Sequence, residues 1–261
     1  MTMKVEHDIE ATCINLIGGA PTHAGHGREA ALAEARLPFT IRIAHDEETL
    51  DRVVRMRYAA YARHVPEFAE RLRAPEPCDR EDGVVLLLAE SKLDGSALGT
   101  MRIQTNRRRP LAIEQSIELP DGLRDRRLAG ATRLGVSLGR IGRVVKVMLF
   151  KAFYLYCQEA QIDSIVIAAR APLDRHYEAL LFEDVLEGGG FTPLRHACNI
   201  PHRIMAFDIA TAEARWAEAR HPLLELFCRT LHPDIDVSLE EFDYRNAQPL
   251  PRARTRVPAS A

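Results

Sequence analysis

The chain has 261 residues, 46% of them hydrophobic, enough to bury a sizeable core in one main domain. A formal charge of -2 gives no support to nucleic-acid binding, and the five cysteines (Cys13, Cys78, Cys157, Cys198 and Cys228) are an odd, widely spaced set with no CxxC pair. That usage favours free thiols in a reducing cytoplasm over a disulfide framework, and His23, His26, His64 and His202 stand apart without metal-ligand spacing, so no metal is expected. The N-terminus is acidic where a secretory leader would be basic, and no apolar run approaches the ~20 residues that span a bilayer; the sequence predicts a cytoplasmic protein without a transmembrane segment.

Residues 4–17 have the spacing of a short amphipathic helix, and GGAPTHAGHGRE behind it has the composition of a flexible linker, so residues 1–37 are set apart from the domain. FTIRIA alternates apolar Phe39, Ile41 and Ile43 with polar residues, as a half-buried strand does. Asp46 is a candidate N-cap, with Glu47 and Glu48 in a first turn that suits the helix dipole; the helix puts Leu50, Val53, Val54, Tyr58 and Tyr61 on one face. GVVLLLAE and ALGTMRIQ are expected strands joined by a hairpin at Asp94-Gly95, and the NRRRP and PDGLRDRRL stretches a surface loop. TRLGVS predicts a strand, residues 143–160 a helix, SIVIAA a buried strand, residues 172–185 a helix, GGGFTPL and RIMAFDI two strands, and residues 211–231 a terminal helix. The domain then spans 38–231, and residues 232–261, ending in RNAQPLPRARTRVPASA, are expected to form a largely disordered tail. This order predicts a mixed α/β sheet of α+β class with helices on both faces.

The stretch GATRLGVSLGRIGRVVKVMLFKAF places Arg140, Arg143 and Lys146 where a long, nearly all-apolar helix begins. Between Arg102 and Lys151 there are twelve Lys or Arg against four Asp or Glu, a local +8 that leaves -10 for the rest of the chain. Backbone N–H groups at a helix N-terminus favour phosphate, and Gly139 and Gly142 let the backbone approach a ligand closely. The bland alternative is a solvated helix start. The motif is neither a Walker A loop nor GxGxxG.

The element order, with its basic glycine-containing turn after the fourth strand, resembles the GNAT acyltransferase fold. Within that fold RMRYAAY, carrying Arg57, Tyr58 and Tyr61, resembles the arginine-plus-aromatic pattern on the first helix of acyl-homoserine-lactone (autoinducer) synthases of the LuxI type and of the related N-acyl amino acid synthases. PCDREDGVVLLLAE, with Asp79 and Asp82, resembles the paired aspartates of autoinducer synthases, and Arg102 and Arg133 fall where those families have basic residues on the third and fourth strands. The match runs from about residue 38 to 209 and is most similar to N-acyl amino acid synthases of the FeeM type. One position departs from the pattern. Autoinducer synthases carry a glutamate three residues before the strand-four arginine, where this chain has Gly130.

The resemblance implies an acyltransferase that moves a long acyl chain from an acyl carrier protein or coenzyme A thioester to the amine of an amino acid, with no permanently bound cofactor. It implies that Leu134, Gly135, Val136 and Ser137 present backbone groups to the pantetheine arm of the donor. Gly139, Arg140, Gly142, Arg143 and Lys146 would then hold its phosphate. Arg57, Tyr61 and Arg102 would hold the acceptor, and Arg133 and Tyr177 stand where these families keep functional residues. With Gly130 in the glutamate's place, the base falls to Asp79, Asp82, Glu114, Glu118 or ordered water. The +8 zone, through NRRR and Arg124, Arg126 and Arg127, would suit docking of an acidic carrier protein, or be only a solvated charge run. Arg57 paired with an aspartate, and Tyr177 packed as a core aromatic, are the structural alternatives. Two other functions stay open: an autoinducer synthase using S-adenosylmethionine, and a binding module that keeps the donor cleft without catalysis.

Overall fold

The computed structural model describes residues 32–239; the expected N-terminal helix, its linker and the RNAQPLPRARTRVPASA stretch lie outside the described residues. The elements in chain order are β1 (Ala33–Glu34), β2 (Phe39–Ile43), α1 (Glu47–Ala62), α2 (Pro66–Ala69), β3 (Val84–Ser91), β4 (Ala97–Thr105), α3 (Asp121–Arg124) and β5 (Leu128–Val136). There follow α4 (Gly139–Glu159), β6 (Ser164–Ala169), α5 (Asp174–Ala179), β7 (Glu183–Asp184), β8 (Phe191–Leu194), β9 (Ile200–Asp208), α6 (Ala212–Glu218), β10 (Thr230–Leu231) and β11 (Ile235–Asp236). The main sheet runs β11-β2-β3-β4-β5-β6-β9-β7, with β8 also paired to β9; β5–β6 and β11–β2 are parallel and the other pairs antiparallel.

Strand β3 is a continuous apolar run because both of its faces are covered. Val85 and Leu87 join the large core built on α4, while Leu86 and Leu88 pack with Leu50, Val53 and Val54 of α1. Asp46 caps α1 as its residue type predicts: its carboxylate accepts from the Thr49 N–H at 2.7 Å. A third apolar cluster, Leu111, Ile113, Leu128, Val166, Leu194 and Ile204, fastens the β4–β5 loop and the β8–β9 turn to the sheet.

Three expected helices have different bounds in the structure. Helix α4 begins at Gly139 and not at 143, because Gly139 takes a left-handed φ of 83° into the first turn and Gly142 has no Cβ to strike the Ser137 carbonyl, which it would meet at 1.8 Å. The helix expected over 172–185 stops at Ala179, where Leu181 turns left-handed at φ 67° and releases the chain into β7. The helix expected over 211–231 ends at Glu218; Arg220 is left-handed, Pro222 offers no N–H, and a π-helical turn at Glu225–Arg229 leads into β10. Residues 232–239, assigned from the sequence to a tail, are built into the fold: β11 extends the sheet at β2, and the Lys151 ammonium donates to the Leu226 carbonyl at 2.6 Å and to His232 Nδ1 at 2.7 Å. Among the described residues no helix is long and apolar enough to cross a membrane.

Candidate active site

Strand β5 pairs with β4 from Ala129 to Val136 but with β6 only at Leu128 and Ala129. Beyond Gly130 its other edge therefore faces an opening between two diverging parallel strands. Within the opening, Arg133 and Leu134 together stand opposite the single residue Met101 of β4, a bulge in which Arg133 adopts a φ of 55°. A left-handed arginine in a strand is strained, and such strain gathers at functional sites. Gly135 serves packing, since a Cβ there would lie 2.8 Å from the Ala60 Cβ of α1. The Val136 carbonyl accepts from the Arg63 guanidinium, and the Ser137 hydroxyl is buried without a hydrogen-bond partner.

The β5 edge runs directly into the N-terminus of α4. Leu138 precedes that helix without a side-chain cap, so its first N–H groups receive no capping oxygen from a side chain. Gly139, Arg140 and Arg143 are exposed, while Lys146 is half-buried with its ammonium 3.1 Å from His176 Nε2. Burial, and then the Arg143 charge, pushes the Lys146 pKa down; burial and Lys146 do the same to His176.

On the α1 face a compact ionic cluster closes over β4 and β5. Arg57, fully buried, donates to both oxygens of Asp79 at 3.0 and 2.6 Å. Arg102 bonds Thr132 Oγ1 at 3.0 Å, Asp79 at 3.1 Å, Cys78 Sγ at 2.8 Å and Glu76 at 2.9 Å. Arg133 grips Glu76 through Nε and NH2, both at 2.7 Å, and lies 4.9 Å over the Phe68 ring. Burial alone would raise the Glu76 and Asp79 carboxyls, but the arginines outweigh it and hold both below their usual values. Burial raises the Tyr61 hydroxyl, opposed by the charges of Arg133, Arg102 and Arg57 beside it. His196, on the short turn between β8 and β9, belongs to the same neighbourhood. Burial, followed by the Arg133 charge, lowers its pKa to about 4; its ring bonds the Ala112 backbone, and its buried Nδ1 has no partner.

The structure thus brings Arg57, Tyr61, Asp79, Arg102 and Arg133 together, and adds Glu76 and His196, which sequence reasoning missed. Glu76 sits three residues before Asp79, a spacing that puts both at one short 3-10 turn, Pro77–Arg80, and was the available clue. Asp82 is exposed, Glu118 is exposed and paired with Arg124 at 3.4 Å, and Glu114 accepts from the Leu111 N–H at 2.7 Å, so none of the three joins the cluster. Ligand atoms of Glu76, Cys78 and Asp79 lie within 4.8 Å of one another, but three guanidiniums already hold that group, an unfavourable setting for a cation.

Tyr177 packs between Phe150 (5.2 Å) and Phe182 (5.1 Å); burial and then the neighbouring Tyr61 keep its hydroxyl protonated. It joins Phe150, Tyr154, Phe182, Phe207 and Trp216 around a cavity of about 20 Å³, room for about one water molecule and not for an acyl chain. The loop arginines expected to dock a carrier are largely engaged within the fold. Arg107 bonds the Ala160 carbonyl, Arg109 pairs with Glu81, Arg126 with Asp208, and Arg127 with Asp163 at 2.7 Å.

A mixed α+β sheet, with an opening between parallel strands beside a basic helix N-terminus, is the arrangement expected of the GNAT-like fold, and a solved structure shares it. No family model and no curated protein matches the sequence. Among solved structures the chain is similar to FeeM, an N-acyl amino acid synthase from uncultured soil microbes, at 16% identity and a TM-score of 0.51 over 69% of this chain and 96% of that one. It is similar to BjaI, a CoA-dependent acyl-homoserine lactone synthase, at 15% identity and a TM-score of 0.49 over 74% and 93% of the two chains. A putative N-acetyltransferase from Lactobacillus plantarum follows at 13% identity and a TM-score of 0.47 over 66% and 98%. At these identities the likeness is one of fold.

Proposed function

We propose that this protein is an N-acyltransferase that moves an acyl group from a pantetheine thioester, carried by acyl carrier protein or coenzyme A, to the amine of an amino acid. The observation that carries the reading is the unpaired β5 edge ending at an uncapped, basic helix N-terminus. Backbone groups between Leu134 and Ser137 that face away from β4 meet the amides of the pantetheine arm, the Val136 carbonyl exchanging Arg63 for it, and the first turn of α4 with Arg140, Arg143 and Lys146 receives its phosphate. The acceptor amine attacks the thioester carbonyl at the bulge. An N–H at the bulge, that of Leu134, would face the oxyanion, a contribution of ~2.7 to 4 kcal/mol per donor in other acyl transfers.

The collapsing intermediate expels the thiolate, a leaving group that needs little acid help and takes its proton from solvent. The amine proton goes to His196, whose free Nδ1 is unprotonated at neutral pH. A carrier protein, being acidic, is the donor form that Arg140 and Arg143 on the exposed helix start would steer. A non-catalytic donor-binding module is the second reading, favoured by Gly130 in place of an acidic residue.

The test is mass spectrometry of small products after incubation with long-chain acyl carrier protein, or with acyl-CoA, and the twenty amino acids. A mass equal to acyl chain plus amino acid establishes the enzyme and names its acceptor. A product only with S-adenosylmethionine would make it an autoinducer synthase. No product, with donor held in a salt-sensitive complex, leaves the binding module.

A further inference from the structure

The two carboxylates of the arginine cluster are held in different ways. Asp79 is locked: its side chain is fully buried, Arg57 bonds both of its oxygens, Arg102 bonds one at 3.1 Å, and the Glu76 N–H donates to Oδ2 at 2.8 Å. Glu76 is carried on a loop between Pro75 and Pro77, and its side chain is 19% exposed, the most of the five charged groups, against 11% for Arg133 and 9% for Arg102. Its carboxylate takes the Nε–NH2 edge of Arg133 side-on and a further N–H of Arg102, with Arg57 NH1 farther off at 3.5 Å, the arrangement in which a guanidinium recognises any carboxylate. Three guanidiniums face two carboxylates, so the cluster retains one positive charge with Glu76 in place.

We propose that Glu76 is the resident occupant of a carboxylate seat formed by Arg133 and Arg102, and that the free carboxylate of an amino acid takes this seat by displacing it. The proposal rests on the acyl-acceptor reading above and names what that site recognises. Arg133 is itself the bulge residue, so a carboxylate on its guanidinium brings an α-amine, two bonds away, toward the place assigned to the thioester carbonyl. Exchanging one carboxylate for another keeps both arginines paired, whereas a ligand that displaced Asp79 would have to break the buried pair with Arg57. Both edge donors of Arg133 are engaged by Glu76, so a second carboxylate has no bidentate edge to use until Glu76 leaves. A seated substrate carboxylate also keeps negative charge beside His196 while that residue takes the amine proton.

The experiment is calorimetric titration of the full chain, without acyl donor, using glycine and glycinamide as probes, since glycine carries only the groups every amino acid shares. Glu76→Ala should bind glycine about tenfold or more tightly than the unaltered protein, with glycinamide unchanged, and adding Arg133→Ala should abolish the gain. Glu76→Gln, which keeps the side-chain shape without the charge, should show the same direction if the alanine variant folds poorly. In the unaltered protein, saturating glycine should speed amide exchange over residues 74–79 as the loop is released. Folded Glu76 variants that bind glycine no better than the parent overturn the proposal. The two readings fail separately. Tightened glycine binding without acyl transfer leaves the seat and removes the enzyme, and acyl transfer with a KM for the amino acid unmoved by Glu76→Ala leaves the enzyme and removes the seat.

Discussion

Gly130 lies so close to Val166 that a Cβ built on it would sit 3.0 Å from the Val166 carbonyl oxygen. The glycine belongs to the last stretch where β5 stays beside β6 before the strands diverge, so its missing side chain reflects strand packing as well as missing chemistry. Restoring an acidic residue there should not restore a base. Gly130→Ala is expected to cost about 1–3 kcal/mol by overpacking, and Gly130→Glu more, both without a gain in acyl transfer. Denaturant unfolding together with product assays checks this; a folded, more active Gly130→Glu would show that the site lacks only its glutamate.

Arg57 and Asp79 should prove structural before they prove catalytic. Both side chains are fully buried, and removing either breaks their two-bond pair, leaving Asp79 to Arg102 or Arg57 to Glu76 at 3.5 Å, a loss of about 3 kcal/mol. Arg57→Ala and Asp79→Asn should lower the melting midpoint by on the order of 10 °C in thermal unfolding, and Arg57→Lys should not rescue it, because lysine cannot span both Asp79 oxygens. Variants with parental melting but impaired acceptor use would return Arg57 to the acceptor site.

The fold was legible in the sequence where one residue pattern met one burial pattern. The alternation of Phe39, Ile41 and Ile43, the double-faced run of β3 and the Asp46 cap all report local structure that tertiary contacts reinforce. Boundaries were illegible where non-glycine residues turn left-handed, as Leu181 and Arg220 do, since nothing in a leucine or arginine announces a positive φ. The ionic cluster was half legible. Arg57, Asp79, Arg102 and Arg133 fell out of a motif, whereas Glu76 arrives from a loop and His196 from a distant turn that an apolar cluster folds onto the sheet. The pairing of the loop arginines was illegible because a charge count does not reveal that Asp163 and Asp208, far along the chain, return to meet them.

Arg140 and Arg143 are exposed at the start of α4, and their contribution should be to the donor alone. The double variant Arg140→Ala/Arg143→Ala should raise the KM for the acyl donor roughly tenfold, from two exposed charge contacts of up to about 1 kcal/mol each. Its stability should stay within about 0.5 kcal/mol of the parent, and the difference in KM should shrink in high salt. Steady-state kinetics at two ionic strengths measures this, and an unchanged KM would move the phosphate elsewhere.

Stability should fall as the solution is acidified below pH 6.5. His232 is buried against the Lys151 ammonium, which donates to its Nδ1, and its pKa is lowered to about 4, by burial first and then by Lys151. The unfolded chain takes up a proton on this histidine near 6.5 while the folded one resists until about 4, so the unfolded state binds more protons across that window and stability drops with pH. His232→Gln should flatten the drop between pH 6.5 and 4, as read by urea unfolding at several pH values; an unaltered slope would place the acid sensitivity in other groups.

His196 should control the chemical step. Its Nδ1 is the buried acceptor without a partner beside Arg133 and Arg102, and the charges of those two arginines, after burial, keep the free ring neutral down to about pH 4. His196→Gln should lower kcat by ~10²-fold or more, in the range general bases contribute, with the donor KM little changed. The acid limb of kcat/KM, which reports the free enzyme, should lie near pH 4 in the parent and vanish in the variant. A bound acceptor carboxylate that replaces Glu76 leaves the charge facing His196 unchanged, so the corresponding limb of kcat should lie close to that of kcat/KM. Rapid-quench or steady-state profiles over pH 3 to 9 test each point, and a His196→Gln variant within about tenfold of the parent kcat at every pH would assign the proton to solvent.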